Sequence, residues 1–302
     1  MRTDPPPAGF LGAPVETDLA RLDADAAILG VPHGWPYARQ GSTAGCSEAP
    51  AAVRRRSQRM ARFVDHWDFD LDGPMRLGRV VDAGDVPGDP ADGPGNSRRT
   101  VAAVAEILER GVVPICIGGD DSVPIPILRA FEGRGPITVL QVDAHLDFRD
   151  EVDGRREGYS SPMRRASEMS HVERIIQVGL RGVGSARAAD VDDARAAGNL
   201  LVTARELREH GVPWLIEQLP ADASVFVSFD CDGLDPSVMP AVSAQAPGGL
   251  SYREAWDLLA GISTRLAGAA FTEYVPALDS NELSALAVTR LASALLAGLV
   301  SG

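Results

Sequence analysis

The composition of this 302-residue chain excludes several classes of protein. A net charge of −13 argues against nucleic acid or an anionic membrane as the main partner. With 45% hydrophobic residues, a chain of this length can bury a large core. Its three cysteines are widely spaced and form no CxxC pair, so neither a disulfide framework nor a zinc finger is expected.

No stretch of the sequence is long and apolar enough to predict a membrane span. The N-terminal residues are rich in proline and lack the apolar core of a signal peptide. We therefore expect a cytoplasmic protein.

Short apolar runs recur along the chain and alternate with helical stretches. Strands that alternate with helices predict a mostly parallel sheet covered on both faces, which is a three-layer α/β/α fold. No repeat or long linker divides the chain, so we expect a single domain over residues 1–302 with an eight-stranded central sheet. The predicted strands are residues 26–30, 79–82, 113–117, 137–142, 175–178, 200–202, 225–229 and 269–272.

Helix-start signals support two of the predicted helices. Ser251 with Glu254 forms a capping box, and Ser280 is a weaker candidate cap for the last helix. Residues 87–97, rich in proline and glycine, predict a loop. The predicted helices are residues 49–63, 97–109, 124–131, 187–196, 204–209, 252–264 and 282–299.

Acidic clusters follow two of the predicted strands. Because side chains alternate along an extended chain, Asp143, His145 and Asp147 should face one side, and Asp230 and Asp232 should lie together. Carboxylates packed this closely repel one another unless a cation neutralises them. One divalent ion, or two ions sharing a carboxylate, is the expected occupant.

A third motif, GGDDS at residues 118–122, follows the predicted strand 113–117. Glycine lets the backbone turn tightly at a strand end. Taken alone, this motif is best interpreted as a turn whose aspartate caps the next helix.

Over nearly its whole length, the chain resembles the ureohydrolase family, which includes arginase, agmatinase and guanidinobutyrase. Several motifs occurring in one order are far more specific than any of them alone. The motifs are GVP at 30–32, PAAVR at 50–54, DAGDV at 82–86, GGDDS at 118–122, DAHLD at 143–147, SFDCD at 228–232 with DP at 235–236, GGL at 248–250, and EYVPALD at 273–279.

The resemblance implies an agmatinase-like hydrolase of linear guanidino compounds, active as a homo-oligomer, either a trimer or a hexamer. It implies two Mn²⁺ ions per chain, with other divalent metals conceivable, and these ions activate water. Asp143 and Asp230 would bridge the ions, with Asp147 completing the first position and His145 and Asp232 the second. Glu273 would hold the guanidinium group through paired hydrogen bonds.

Two positions depart from the family pattern. Most members have a metal-ligating histidine where this chain has Asp121, whose oxygen suits manganese but adds a negative charge. Tyr159 occupies the place of a proton-shuttling histidine. A tyrosine with a pKa of about 10 is a poor shuttle near neutral pH, although its ring could stack on a guanidinium. His33 could compensate if it lies near the site, but an ordinary loop position is the simpler interpretation.

The substrate and the activity remain open between alternatives. Arg149 could clamp a substrate carboxylate, which would favour a guanidino acid over agmatine, or it could pair with Asp150 or Glu151. The residues with which arginase binds the α-carboxylate and α-amine of its substrate are not recognisable in this sequence, so arginase activity is not expected. Alternatives to guanidine hydrolysis are a formimino or other C–N hydrolase, and a catalytically silent subunit that binds or assembles.

Overall fold

Parallel strands form the centre of this structure, a computed structural model that describes residues 1–35, 37 and 41–300. The strands are β1 (Ala26–Val31), β2 (Trp67–Asp68), β3 (Gly73–Pro74), β4 (Val80–Asp85), β5 (Val113–Gly118), β6 (Ile137–Val142), β7 (Val172–Leu180), β8 (Leu200–Thr203), β9 (Val225–Asp230) and β10 (Leu266–Thr272).

Eight of these strands make one sheet in the order β4-β1-β5-β10-β9-β6-β7-β8. Every neighbouring pair in that sheet is parallel. All eight predicted strands are therefore present, although β7 and β10 begin three residues earlier than predicted. The antiparallel hairpin of β2 and β3 was missed because strands of two residues carry no periodic pattern.

Helices cover both faces of the sheet, which confirms the three-layer architecture. The short helices α4 and α7 were not predicted, because one or two turns give too little periodicity. The helices are α1 (Ala49–Ala61), α2 (Gly93–Glu109), α3 (Pro124–Arg129), α4 (Pro162–Ser167), α5 (Ala188–Ala196), α6 (Ala204–His210), α7 (Val212–Glu217), α8 (Tyr252–Ile262) and α9 (Leu283–Val300).

Two helix starts differ from their predictions. Helix α2 begins inside the predicted loop 87–97, because the Asp92 side chain accepts a hydrogen bond from the Gly95 amide and caps the helix. Helix α9 begins at Leu283 and is capped by Asp279, whose carboxylate accepts from the amide of Ala285 at 2.9 Å, so the Ser280 cap was wrong. The Ser251–Glu254 capping box is confirmed at the start of α8.

The core is divided between the two faces of the sheet by strand alternation. Ile28 on β1 packs in one apolar layer with residues of α1, α8 and α9, whereas Leu29 packs in the other with residues of α2 and α3. No helix in the described ranges combines the length and apolarity that crossing a bilayer requires.

The four middle strands β5, β10, β9 and β6 are consecutive neighbours in the sheet. In an open parallel sheet, reactive groups collect beyond the carboxyl ends of the strands. The motifs GGDDS, DAHLD and DCD and the residue Glu273 lie at the carboxyl ends of these four strands.

Candidate metal centre

Two groups of ligand-type side chains meet at this edge of the sheet. Asp121, Asp143, Asp147 and Asp230 each offer a carboxylate oxygen, and these oxygens lie within 4.8 Å of one another. A second group, made of Asp143, His145 and Asp232, meets the same distance limit. Because Asp143 belongs to both groups, the geometry is that of two adjacent cation positions sharing a carboxylate.

Direct contacts hold the second group together. His145 Nδ1 lies 3.1 Å from Asp232 Oδ2 and 3.5 Å from Asp143 Oδ1. The Ala144 amide donates to Asp232 Oδ1 at 3.1 Å, and the His145 amide donates to Asp143 Oδ1 at 2.6 Å. Hydrogen bonds to Asp143 and Asp232 raise the pKa of His145 to about 11. A metal ion in this position would replace the imidazole proton.

Backbone conformation, and not strand alternation, brings the ligands together. Residues 143–147 follow the end of β6, and Asp147 has a left-handed φ of 46°. Asp232 lies in the 3₁₀ turn Cys231–Gly233, so it is not on the same strand face as Asp230. Glu273, directly after β10, also has a left-handed φ of 63°. Conformations of this kind cost free energy and cluster at functional sites.

Burial makes these carboxylates difficult to ionise without a cation. Burial and the charge of Asp232 raise the pKa of Asp143 to about 6. Burial and the charge of Asp120 raise the pKa of Glu273 to about 8. Burial, followed by repulsion from neighbouring carboxylates, likewise raises the pKa values of Asp121, Asp147 and Asp230.

The donor set fits two divalent cations. It consists of hard carboxylate oxygens with one imidazole, a combination that Mn²⁺ and similar ions accept. Asp121 Oδ1 accepts from Thr272 Oγ1 at 2.6 Å, whereas its Oδ2 is buried without a hydrogen-bond partner. Buried polar atoms normally have partners, so this oxygen is suited to a cation.

The metal-free protein is expected to lose stability as the pH rises from about 5 to about 8. The folded pKa values of Asp143 and Glu273, about 6 and about 8, exceed their unfolded values of about 4. The folded state therefore binds more protons in this window, and the free energy of unfolding falls with rising pH. The raised pKa of His145 acts in the same direction above about pH 6.5.

Thermal unfolding in EDTA across this pH range measures the effect, with the Mn²⁺-loaded protein as the reference. A melting temperature that rises between about pH 5 and about pH 8 in EDTA would contradict the expectation.

A cavity of about 350 Å³ opens above the two groups. No lysine or arginine is among the described residues that line it. Glu273 is one of the lining residues. Its Oε1 accepts from the Asp121 amide at 2.9 Å, and Cys46 Sγ lies 3.8 Å from its Oε2. The lining residues are Asp121, His145, Asp147, Tyr159, Ser160, Val183, Gly184, Ser185, Asp230, Asp232, Ser243, Ala244 and Glu273.

Tyr159 forms part of the cavity wall and packs edge-on against Tyr37, with ring centroids 4.6 Å apart. Its hydroxyl is buried and has no hydrogen-bond partner. Burial and the charge of Glu273 raise the pKa of Tyr159 to about 12. The hydroxyl is therefore protonated at neutral pH and can donate a hydrogen bond into the cavity.

Two residues singled out in the sequence do not line the cavity. Arg149 pairs with Asp190 at 3.4 Å and donates to the Ser185 carbonyl at 3.2 Å, so its guanidinium is attached to the segment that forms the cavity rim. His33 lies in a separate small pocket with Trp35, and burial lowers the pKa of its imidazole.

Sequence reasoning missed several side chains that support the site. Gln141 Nε2 donates to Asp143 Oδ2 at 2.6 Å, and Thr272 donates to Asp121. Gln141 had a signal that could have been used, because it is a polar residue within the apolar run ITVLQV. No sequence pattern indicated Cys46 or Tyr37, because their contacts depend on how distant segments of the chain pack.

Two groups of ligand-type side chains that share a carboxylate, at the carboxyl edge of a parallel α/β/α sheet, have the arrangement of a binuclear metal site. Residues 24–298 match the model of the Arginase family, and the chain belongs to that family.

Known relatives differ in what they act on. A guanidinopropionase of Pseudomonas aeruginosa is 32% identical over 92% of this chain and 86% of its own. An agmatinase of Enterobacter sp. (strain 638) is 30% identical over 95% of this chain and 92% of its own. Among solved structures, a Trypanosoma cruzi formiminoglutamase with Mn²⁺ superposes with a TM-score of 0.81 at 27% identity, covering 91% of this chain and 93% of that one.

Proposed function

We propose that this protein is a manganese-dependent amidinohydrolase that releases urea and an amine from a linear guanidino compound. The observation that carries the proposal is the placement of Glu273 in the same cavity as the two ligand groups. Six carboxylates line or underlie this cavity, so two divalent cations leave it with a net negative charge. A guanidinium cation is complementary to that charge.

In this proposal the ligand groups keep the roles that the family resemblance implies. Asp121, Asp143, Asp147 and Asp230 would hold one cation, and His145 and Asp232, with the shared carboxylates, would hold the other. When bound, the two cations supply water activated for attack near neutral pH.

Glu273 would bind and orient the planar guanidinium. The Asp121 amide already bonds one of its oxygens and Cys46 contacts the other, so the carboxylate is fixed in rotation. Charge-assisted, paired hydrogen bonds to a fixed carboxylate would hold the guanidinium carbon above the metal groups.

Tyr159 would contribute a neutral hydroxyl and an aromatic ring, and would not act as a proton shuttle. Its pKa of about 12 keeps the hydroxyl protonated. A guanidinium has no acceptor, so the hydroxyl oxygen would accept from a guanidinium N–H, or the ring would stack against the cation from the cavity wall.

The tail of the substrate would meet a neutral rim made of Val183, Ser185, Ser243 and small residues. We propose that Arg149 acts on the tail through its bond to the Ser185 carbonyl, because a direct clamp would require it to leave Asp190. The guanidinopropionase and agmatinase relatives support both guanidino acids and agmatine as candidates.

A urea-release screen tests the function. Agmatine, guanidinopropionate, guanidinobutyrate and arginine would be assayed with Mn²⁺, Ni²⁺, Co²⁺, Fe²⁺ and Zn²⁺, together with a formimino compound assayed for ammonia or formamide. Urea from a linear guanidine with Mn²⁺ is the expected result. Hydrolysis of the formimino compound alone would assign the formimino activity, and a chain inert with every metal would be a silent member.

Asp121→His is expected to strengthen Mn²⁺ binding or raise kcat by about tenfold, equivalent to about 1.4 kcal/mol. The substitution removes one of the repelling negative charges and offers a nitrogen ligand in its place. Calorimetric Mn²⁺ titration and urea release measure the two quantities. Asp120→Asn serves as the control for Mn²⁺ binding, because Asp120 is buried beside this position but belongs to neither ligand group. No change in either quantity for Asp121→His would mean that Asp121 is not a ligand.

A homo-oligomeric state and a cytoplasmic location remain proposals that rest on the family resemblance and the composition. Light scattering coupled to size-exclusion chromatography tests the first.

A further inference from the structure

Three buried amide side chains form a hydrogen-bonded chain that ends on Asp143. Asn199 Nδ2 donates to Gln177 Oε1 at 2.9 Å, and Gln177 Nε2 donates to Gln141 Oε1 at 2.6 Å. Gln141 Nε2 then donates to Asp143 Oδ2 at 2.6 Å. We call these three residues the amide chain.

Strand register places the amide chain beneath the metal centre. Gln141 on β6 and Gln177 on β7 are direct partners in the parallel ladder, and Asn199 immediately precedes β8. The exposed fractions are 1% for Gln141, 0% for Gln177 and 8% for Asn199. Polar groups buried this deeply are costly unless they are bonded, and each of these amides is bonded.

A backbone carbonyl fixes the direction of the amide chain. Gln177 Nε2 also donates to the Leu146 carbonyl at 2.7 Å. A carbonyl can only accept, so the nitrogen of Gln177 must face Leu146 and Gln141 Oε1. Gln141 must then turn its own nitrogen toward Asp143. All donors therefore point toward the carboxylate, an arrangement in which successive bonds strengthen one another.

The same Gln177 nitrogen also restrains a second ligand. Leu146 immediately precedes Asp147, whose backbone is held at a left-handed φ of 46°. Holding the Leu146 carbonyl therefore limits the motion of the segment that presents Asp147. One side chain is thus connected to Asp143 through Gln141 and to Asp147 through the backbone.

We propose that Gln177 is a positioning residue that fixes Asp143 relative to Asp147, so that the two ligands can share a pair of divalent cations. The inference rests on the proposed function only in that these carboxylates bind such cations. Partners beyond the ligands commonly control metal affinity by orienting the ligands.

The test is Gln177→Met, which keeps a similar volume but removes the amide. Full-length protein would be titrated with Mn²⁺ by calorimetry and examined by electron paramagnetic resonance. Affinity for Mn²⁺ is expected to fall by about 10- to 100-fold. The exchange-coupled signal of a paired site is expected to give way to that of isolated Mn²⁺, a change that a purely structural role for Gln177 would not produce.

Ser228→Ala is the matched control. Ser228 pairs with Gln141 across the β6–β9 ladder, is fully buried, and its hydroxyl has no hydrogen-bond partner. This substitution alters the same layer of the core without removing a hydrogen bond of the amide chain, so Mn²⁺ affinity and the coupled signal should match the wild type.

If Gln177→Met does not fold, Asn199→Leu tests the proposal in its place, because this substitution removes only the far end of the amide chain. The expected loss is then about 2- to 10-fold in Mn²⁺ affinity.

If the variant that folds has the same Mn²⁺ affinity and the same exchange-coupled signal as the wild-type protein, the proposal is wrong. Wild-type protein that binds Mn²⁺ pairs but releases no urea would overturn only the hydrolase function. Wild-type protein that binds no Mn²⁺ would overturn both proposals.

Discussion

Asp230→Asn is expected to abolish metal-dependent hydrolysis while stabilising the metal-free protein. Asp230 is buried at the end of β9, and burial with the charge of Asp232 raises the pKa of its carboxyl. Asparagine removes a repelling charge when no cation is present but supplies a poorer ligand when one is. We expect Mn²⁺ affinity to fall at least ~100-fold and urea release at least ~1000-fold, since the cations supply several kcal/mol of transition-state stabilisation.

The opposite signs of the two effects make this test specific. In EDTA, the melting temperature of Asp230→Asn should rise by about 2–4 °C for each kcal/mol of relieved repulsion. The Asp232 amide, 2.9 Å from Asp230 Oδ1, can still donate to the asparagine oxygen, so local structure is kept. Asp120→Asn should retain both cations. Wild-type Mn²⁺ stoichiometry in Asp230→Asn would exclude Asp230 as a ligand.

Glu273→Gln is expected to lower kcat/KM for the guanidino substrate by about 100- to 1000-fold while leaving Mn²⁺ binding intact. Losing one partner of a buried charge pair costs about 2–5 kcal/mol, and this range includes the expected loss. A glutamine oxygen can still accept from the Asp121 amide, which preserves the fold around the cavity.

The two measurements separate recognition of the substrate from metal binding. Steady-state urea release gives kcat and KM, and calorimetry gives the Mn²⁺ affinity of the same preparation. Glu282→Gln is a suitable control, because Glu282 is half exposed and lies outside the cavity lining. An unchanged kcat/KM in Glu273→Gln would show that Glu273 does not bind the substrate. Loss of Mn²⁺ binding would show instead that Glu273 supports the structure of the metal centre.

The sheet could be predicted from the sequence because strands buried on both faces are continuous apolar runs. The order of those strands could not, since it depends on where each connecting helix crosses the sheet. The hairpin formed by Trp67–Asp68 and Gly73–Pro74 could not be predicted, because each strand is too short to show an alternation of apolar and polar residues.

The sequence indicated which side chains meet in the candidate metal centre, but it did not indicate how the backbone brings them together. Carboxyl ends of parallel strands meet at one edge, which is why the clusters after β6 and β9 converge. The left-handed backbone at Asp147 and the turn that contains Asp232 depend on tertiary packing, which local sequence patterns do not reveal. The position of Arg149 likewise depends on Asp190 and Ser185, which are distant in the chain.

The ligand groups join segments far apart along the polypeptide, from Asp121 after β5 to Asp230 and Asp232 at the end of β9. An ion bound there acts as a cross-link that closes loops of roughly 100 residues, whose closure is entropically costly in an unfolded chain. Occupancy should therefore protect the central strands together against proteolysis, so that resistance to digestion reports metal loading without any substrate.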